Sequence, residues 1–332
     1  IAAATQMFDI AKLAWNIEIF EAADISPEIM TVVYKPTHVL GKVYERLAAE
    51  LGIPQGTIVV AGSGDSTVST LGCGVCENGR AAIVLGTASD VSLCSDKPIL
   101  DSGKRIGCYP YIIDGTYMAI AGSNSSTVAL KWFRNQFCET EKEACKQVNI
   151  DIYDYMMKMA AEINPGANGL IFLPYISGER SPIYDVNARG VFAGISLAHE
   201  RGHFIRAILE GVGMSVKDRA NIFTEIGTKL HDAVLTGGGA KSEVWRQIIT
   251  DMLGQPTCYA NEPETTCLGA AVIAAYGVGL YESIQKACKA MSPSMSTISP
   301  DVDRFDFYNK LFLCYKDLYN NNMNLFEKLA YL

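Results

Sequence analysis

Thr57-Ile-Val-Val-Ala-Gly-Ser-Gly-Asp-Ser66 is a short apolar run, bounded by turn formers, that delivers an acidic residue to the start of a new segment. The β-branched residues Thr57–Val60 favour a strand, Gly62 and Gly64 a tight turn, and the small residues from Asp65 to Gly72 a helix. Strand, glycine turn and helix is the layout in which α/β proteins hold reactive groups at the carboxyl ends of strands. Asp65 is therefore a candidate functional carboxylate. An Asp at a helix start also serves simply to satisfy free backbone N–H groups, so this stretch alone leaves both readings open.

Composition narrows the class. The chain has 332 residues, 49% hydrophobic and 19% charged, enough for one large or two medium domains with substantial cores. Its net charge is −8, with Lys and Arg scattered, so no nucleic-acid footprint is present and the partner is expected to be small. No run is long enough to span a bilayer; the most apolar, Gly269–Gly279, is far too short. Ten cysteines at irregular positions read as reduced thiols of a cytoplasmic protein. Cys73-Gly-Val-Cys76 lacks a second such pair, and His38, His199, His203 and His231 form no ligand spacing, so no metal ligand is assigned.

Outward from Asp65, Val43–Leu51 reads as a helix ended by Gly52, and residues 1–42 as a short strand over Thr5–Ile10 with a helix-like Ala11–Ala23. Downstream, Ala81–Leu85 and Val91–Cys94 form a hairpin with a Gly-Thr-rich tip, Gly86–Asp90. Tyr117–Ala121 is a strand before a helix at Val128–Phe137. Gly169–Pro174 leads into a polar loop, Ser177–Arg189, and Phe204, Ile205, Ile208, Leu209, Val212 and Val216 mark an amphipathic helix. Ala233–Thr236 runs into Gly237–Gly239, with Ser242 suited to cap the following helix and Gly254 to end it. Thr257–Ala260 is a strand, Thr266 is expected to cap the small-residue helix behind it, and the aromatic stripe of the terminal helix reads as packing. The domain boundary is placed near Glu77–Arg80, where Asn78-Gly79 supplies a turn.

Three glycine-rich turns, Gly62–Asp65, Gly86–Ser89 and Gly237–Gly239, each follow a strand. Glycine lets backbone N–H groups approach phosphate closely, so three such turns suggest a nucleotide between layers. Neither G-x-x-x-x-G-K-[ST] nor G-x-G-x-x-G occurs, which excludes a P-loop and a dinucleotide fingerprint.

Taken in order, these segments resemble the FGGY family of carbohydrate kinases. The resemblance is carried by Gly64-Asp65, Gly86-Thr-Ala-Ser89, Gly178-Glu-Arg-Ser-Pro-Ile-Tyr-Asp-Val-Asn-Ala-Arg-Gly190, Leu235-Thr-Gly-Gly-Gly-Ala-Lys-Ser242 and Glu264–Ala271. Most specific is the family's second signature, matched by Gly190-Val-Phe-Ala-Gly-Ile195, His203-Phe204 and Ala207-Ile-Leu-Glu210. Within the family the wording around Ser177–Gly190 is similar to xylulose kinases.

The resemblance implies an α/β fold: a ribonuclease-H/actin-like domain of mixed sheet flanked by helices, residues 78–332, preceded by the end of a second domain of the same type, residues 1–77. It implies ATP with Mg2+ and a sugar meeting in the cleft, the sugar being xylulose, with Asp65 accepting the hydroxyl proton as that oxygen attacks the γ-phosphoryl group. Nucleotide contacts fall on Gly86, Thr87, Thr127, Gly238, Gly239, Ala240 and Ser242. Two positions depart from the family pattern: Glu243 stands where relatives place an Asn beside adenine, and Thr127 where many have Gly. Glu179, Arg180, Asp185 and Arg189 are expected to form an ion-paired loop rather than substrate ligands. The family's D-x-G-T phosphate loop is not found, and Asp114-Gly-Thr116 lacks the intervening residue. The resemblance thus covers the end of a first domain, to about Gly74, and a whole second one. The expected partners are a sugar and ATP, without nucleic acid or membrane and with room for a homodimer. A chain starting at Ile1 in mid-domain leaves a rival reading, a nucleotide-binding module without catalysis, and a third, an ATPase of the wider actin-like superfamily.

Overall fold

The computed structural model describes residues 1–262 and 264–332. Among these, the first part of the chain forms β1 (Phe8–Asp9), β2 (Ala14–Trp15), α1 (Ile17–Ala22), β3 (Val39–Lys42), α2 (Glu45–Leu51), β4 (Ile58–Val60) and α3 (Asp65–Gly72). There follow β5 (Arg80–Leu85), β6 (Ser89–Ser95), β7 (Gly107–Pro110), β8 (Tyr117–Ser123), α4 (Thr127–Phe137), α5 (Glu139–Gln147), α6 (Ile152–Ala161), β9 (Ile171–Leu173) and β10 (Val191–Ala193). The last third holds α7 (Arg201–Glu225), β11 (Asp232–Thr236), α8 (Glu243–Leu253), β12 (Thr257–Ala260), α9 (Thr265–Gly277), α10 (Ile284–Met291), β13 (Met295–Ile298) and α11 (Val302–Ala330). Among the described residues no helix is long and apolar enough to cross a membrane.

Seven strands form one mixed sheet in the order β13-β12-β11-β5-β6-β8-β7. Its centre, β5, β11 and β12, is parallel; β13 and the β6-β8-β7 flank run antiparallel. Both faces are covered, and the two-residue period of a strand shows why. Ala81, Ile83 and Leu85 of β5, with Ala233 and Leu235 of β11, face a core shared with α7, α8 and α11. The intervening Ala82 and Val234 face a second core shared with α3, α9 and α10.

The second core depends on two glycines. A Cβ at Gly72 of α3 would be driven into the Thr265 carbonyl oxygen, and one at Gly269 of α9 into that of Val68, so the two helices cross backbone against backbone. Ser69 Oγ and Thr265 Oγ1, 2.8 Å apart, bond across the crossing. Thr265 is the first residue of α9, preceded by Glu264 without a side-chain cap, so the expected cap at Thr266 is displaced into the helix.

The first core is organised by α7, buried nearly all round rather than amphipathic. Its polar residues reach partners on surrounding elements. Glu210 accepts from Gly166 N–H at 2.9 Å, Arg206 Nε at 2.7 Å and the Tyr308 hydroxyl at 2.9 Å, and Arg206 Nη2 in turn donates to Tyr308 at 2.8 Å. Burial pushes the Glu210 carboxyl up, and Arg206 pulls it back. The aromatic stripe of α11 packs as expected: Tyr308, Tyr315 and Tyr319 are buried, and Tyr315 donates to the Tyr175 hydroxyl at 2.7 Å.

The start of the chain departs most from its sequence reading. Ala11–Ala23 is a helix only from Ile17 on, and Thr5–Ile10 is strand only at Phe8–Asp9. Asp9 Oδ1 accepts the N–H groups of Ala11 and Lys12, and Leu13 turns to φ 52°, folding residues 8–15 into a β1-β2 hairpin. An Asx turn competes with helix at such a position.

Candidate functional site

Asp65 is the first residue of α3, with Gly64 before it in the cap position. Its side chain is exposed, and Oδ1 accepts only the N–H of Ser66, at 2.8 Å. It is thus not the cap that would bind N–H groups further into the first turn. Asp65 lines a cleft of about 350 Å³ together with Ile58, Val60, Gly62, Ser63, Val68 and the Thr266–Ala274 flank of α9.

The other two glycine turns come together at the ends of the adjacent parallel strands β5 and β11. The tip between β5 and β6 is held by α4: Thr127 donates its N–H, at 3.0 Å, and its hydroxyl, at 2.8 Å, to the Gly86 carbonyl, and Ser126 N–H donates to Thr87 at 3.0 Å. Thr87 itself is exposed. From β11, Gly239 packs so closely that an added Cβ would lie 3.0 Å from Leu85 Cβ and 3.0 Å from Thr127 Cγ2. Gly86, Thr87 and Thr127 therefore lie together beside the N-terminus of α4, with buried Gly239 packed against Thr127.

Of the remaining expected contacts, Ala240 is wholly buried within the helical turn Gly239–Lys241, and Ser242 caps α8 by accepting Trp245 N–H at 3.2 Å. That turn is held by Arg246, which donates to the carbonyls of Ala240 at 2.7 Å and Lys241 at 3.0 Å while stacking 4.1 Å over the Tyr259 ring. Sequence reading missed Arg246, because its partners are backbone atoms and a ring on β12. Glu243 projects outward, its side chain 91% exposed.

The glycines differ in what the fold asks of them. Gly237 has φ 89°, and a Cβ there would come within 2.8 Å of the Leu85 carbonyl oxygen. Gly238 has an ordinary helical conformation, φ −60° and ψ −39°, and nothing within 4 Å of an added Cβ. The fold does not require glycine at 238; bare backbone there is also what a phosphate-binding turn offers a ligand. We expect Gly238→Ala to leave the thermal unfolding midpoint nearly unchanged while weakening ATP binding severalfold by calorimetry. Gly237→Ala should lower the midpoint itself through backbone strain and clash.

Asp90 is a further carboxylate next to the tip. It follows the tip on β6, with Arg180 Nη2 3.6 Å from its Oδ1. The pair lies over Gly122, where a Cβ would fall 2.7 Å from Asp90 Oδ1 and 2.9 Å from Arg180 Nη2. Burial raises the Asp90 carboxyl above its usual range, Arg180 and Arg219 draw it down, and Asp65 pushes it up again. The acidic residue directly after the Gly-Thr tip was the available signal for Asp90.

The Ser177–Arg189 loop is not the ion-paired wall expected from its charges. Glu179 is buried and accepts from Ser123 Oγ at 2.7 Å and from the N–H groups of Asn124 and Arg180. Asp185 accepts from Asn187 and Ala188 N–H and from the Tyr319 hydroxyl, and Arg189 donates to backbone carbonyls. Only Arg180 meets a carboxylate, and that one lies outside the loop. Buried carboxylates need donors, and neutral donors serve. All ten cysteines are free, Cys73 and Cys76 among them, and burial pushes the Cys73 thiol up to about 11. Among the described residues no three His, Cys, Asp or Glu side chains gather as a metal cage.

Comparison with known proteins bears on this geometry. The family model for the C-terminal domain of the FGGY family of carbohydrate kinases matches residues 81–278, and that for its N-terminal domain matches residues 1–72. The chain is 30% identical over 334 residues to a gluconokinase of Bacillus subtilis (strain 168), covering 99% of the chain and 64% of the relative. It is 28% identical over 327 residues to a xylulose kinase of Staphylococcus epidermidis, covering 98% and 63%. A ligand-bound xylulose kinase structure from Lactobacillus acidophilus superposes with a TM-score of 0.88 at 26% identity, over 99% of this chain and 64% of that one. The chain therefore spans a little under two thirds of the length of these relatives. Its mixed sheet flanked by helices is the actin-like fold of such structures, as the resemblance implied. With both family models matched in order and the second covering more than half its length, the chain belongs to the FGGY family of carbohydrate kinases.

Proposed function

We propose that the protein is an ATP-dependent sugar kinase in which Asp65 acts as general base. The observation that carries this is the meeting of the Gly86–Thr87 tip, Thr127 and Gly238–Gly239 at the ends of β5 and β11. Backbone N–H groups at the tip and the start of α4 would meet the polyphosphate, and Gly238 leaves room for it. From its cleft, Asp65 would take the proton of the attacking sugar hydroxyl. A loose transition state asks for positioning and charge stabilisation more than for a strong base. Mg2+ would neutralise phosphate charge, with Asp90 the carboxylate directly after the tip.

On this reading residues 1–77 are the end of the sugar-binding domain and residues 78–332 the nucleotide-binding domain. The protein acts in the cytoplasm, with sugar and ATP as partners and assembly as a homodimer left for solution measurement. Xylulose is the proposed acceptor, giving xylulose 5-phosphate. Gluconate is the competing acceptor, because relatives of both names match nearly all of the chain.

A coupled ADP-release assay with xylulose, gluconate and no sugar tests the proposal. We expect turnover with xylulose well above that with gluconate; a preference for gluconate would reassign the acceptor, and ATP hydrolysis indifferent to both would favour an ATPase. The second reading, nucleotide binding without catalysis, is supported by the exposure of the Asp65 cleft. Measurable phosphoryl transfer by residues 1–332 would sink it.

A further inference from the structure

Beneath the Gly86–Ala88 tip lies a group of buried polar side chains that the proposed reaction does not use. At its centre is Arg219, toward the C-terminal end of α7 and fully buried. Its Nη2 donates to Ser89 Oγ at 2.7 Å, while Nε and Nη1 have no partner among the described residues. Ser89 is the first residue of β6 and pairs across the sheet with Ser123 of β8, whose hydroxyl donates to Glu179. The buried hydroxyls of Ser125, Ser126 and Ser181, and of Ser215 one turn before Arg219, also lack protein partners. Ser126 N–H bonds Thr87, and Ser181 N–H donates to Gly122 at 3.0 Å, so the group underlies both the tip and the Ser177–Arg189 loop. Burial lowers the Arg219 guanidinium from its ordinary range, and Glu179, then Asp90, offset this.

An arginine in such a place is hard to explain by stability. Replacing buried charge with apolar side chains often stabilises a protein, and donors left unpaired add to the cost of keeping it. What Arg219 does achieve is a fixed, planar contact to the one residue that joins the glycine tip to β6.

We infer that Arg219 is a positioning residue for the phosphate turn: by holding Ser89 it fixes the end of β6 where Gly86 and Thr87 can meet a polyphosphate. This rests on the reading above that the tip binds phosphate. Arg219 touches no ligand itself and acts through Ser89 alone. Its loss should therefore affect ligands with a polyphosphate and spare those without one.

Calorimetry with ATP and with adenosine, on the parent chain and on Arg219→Lys, Ser89→Ala and the double variant, tests this. A lost hydrogen bond to a charged group should weaken ATP binding about tenfold. Each single variant is expected to show that loss with adenosine affinity unchanged, and the double variant no more than either, as for two members of one contact. Equal losses for ATP and adenosine would reduce Arg219 to a structural role and overturn the inference, as would ATP affinity within twofold of the parent. If Arg219→Lys fails to fold, Ser89→Ala, which removes a single oxygen, decides alone. A parent chain that binds no ATP would overturn the nucleotide-site reading and this inference together, an outcome distinct from variants that bind as the parent does.

Discussion

In Asp65→Asn, ATP-dependent phosphorylation of the sugar should fall by roughly 10²–10⁴-fold, the usual worth of general-base help, while ATP affinity stays within about twofold. The substitution is nearly isosteric, and the amide oxygen can still accept the Ser66 N–H that Asp65 now holds. The residue is exposed, so neither the start of α3 nor the second core should be disturbed. The split between lost turnover and retained nucleotide binding is therefore the diagnostic result, read by a coupled assay beside calorimetry. Near-normal turnover would show that the proton leaves by another route.

Glu210→Ala should cost stability on the order of 3–5 kcal/mol, because removing one partner leaves a buried charge uncompensated. Glu210 closes a buried knot with Arg206, Tyr308 and the Gly166 N–H, tying α7 to α11 and to the turn before β9. Denaturant unfolding measures the loss. Glu210→Gln keeps acceptor atoms but not the charge and should fall between the parent and the alanine variant. Replacing the pair together, Glu210→Leu with Arg206→Met, should recover part of the deficit, since it removes the buried unpaired charge but leaves the Gly166 N–H and Tyr308 hydroxyl without their acceptor. A loss below about 1 kcal/mol in the single variant would mean that Arg206 finds another partner at little cost.

The sequence signature ending at Glu210 thus has a structural meaning. Val191–Ala193 becomes β10, and His203 and Glu200 cap each other at the start of α7. What could be read directly was local. The bounds of α3, the ends of α2 and α8 at Gly52 and Gly254, and the cap at Ser242 follow from residues within a few positions of one another. What escaped was built from distant parts. Ser89 and Arg219 are 130 residues apart in sequence, and the polar face of α7 looks solvent-facing until α11 covers it. The β1-β2 hairpin escaped for the opposite reason: Ile10, Leu13 and Ile17 mimic a helical stripe, and one aspartate side chain overrides it.

The crossing of α3 and α9 has a consequence for how this chain can vary. At most packed positions a larger side chain on one element can be answered by a smaller one on its neighbour. At Gly72 and Gly269 the obstacle to any Cβ is the facing main chain, 2.8 Å from Gly269 N in one case and 3.0 Å from Gly72 N in the other. No exchange of side chains can compensate for that. In a saturation library scored for folding, both positions should tolerate no residue but glycine, and pairing substitutions at the two should rescue nothing.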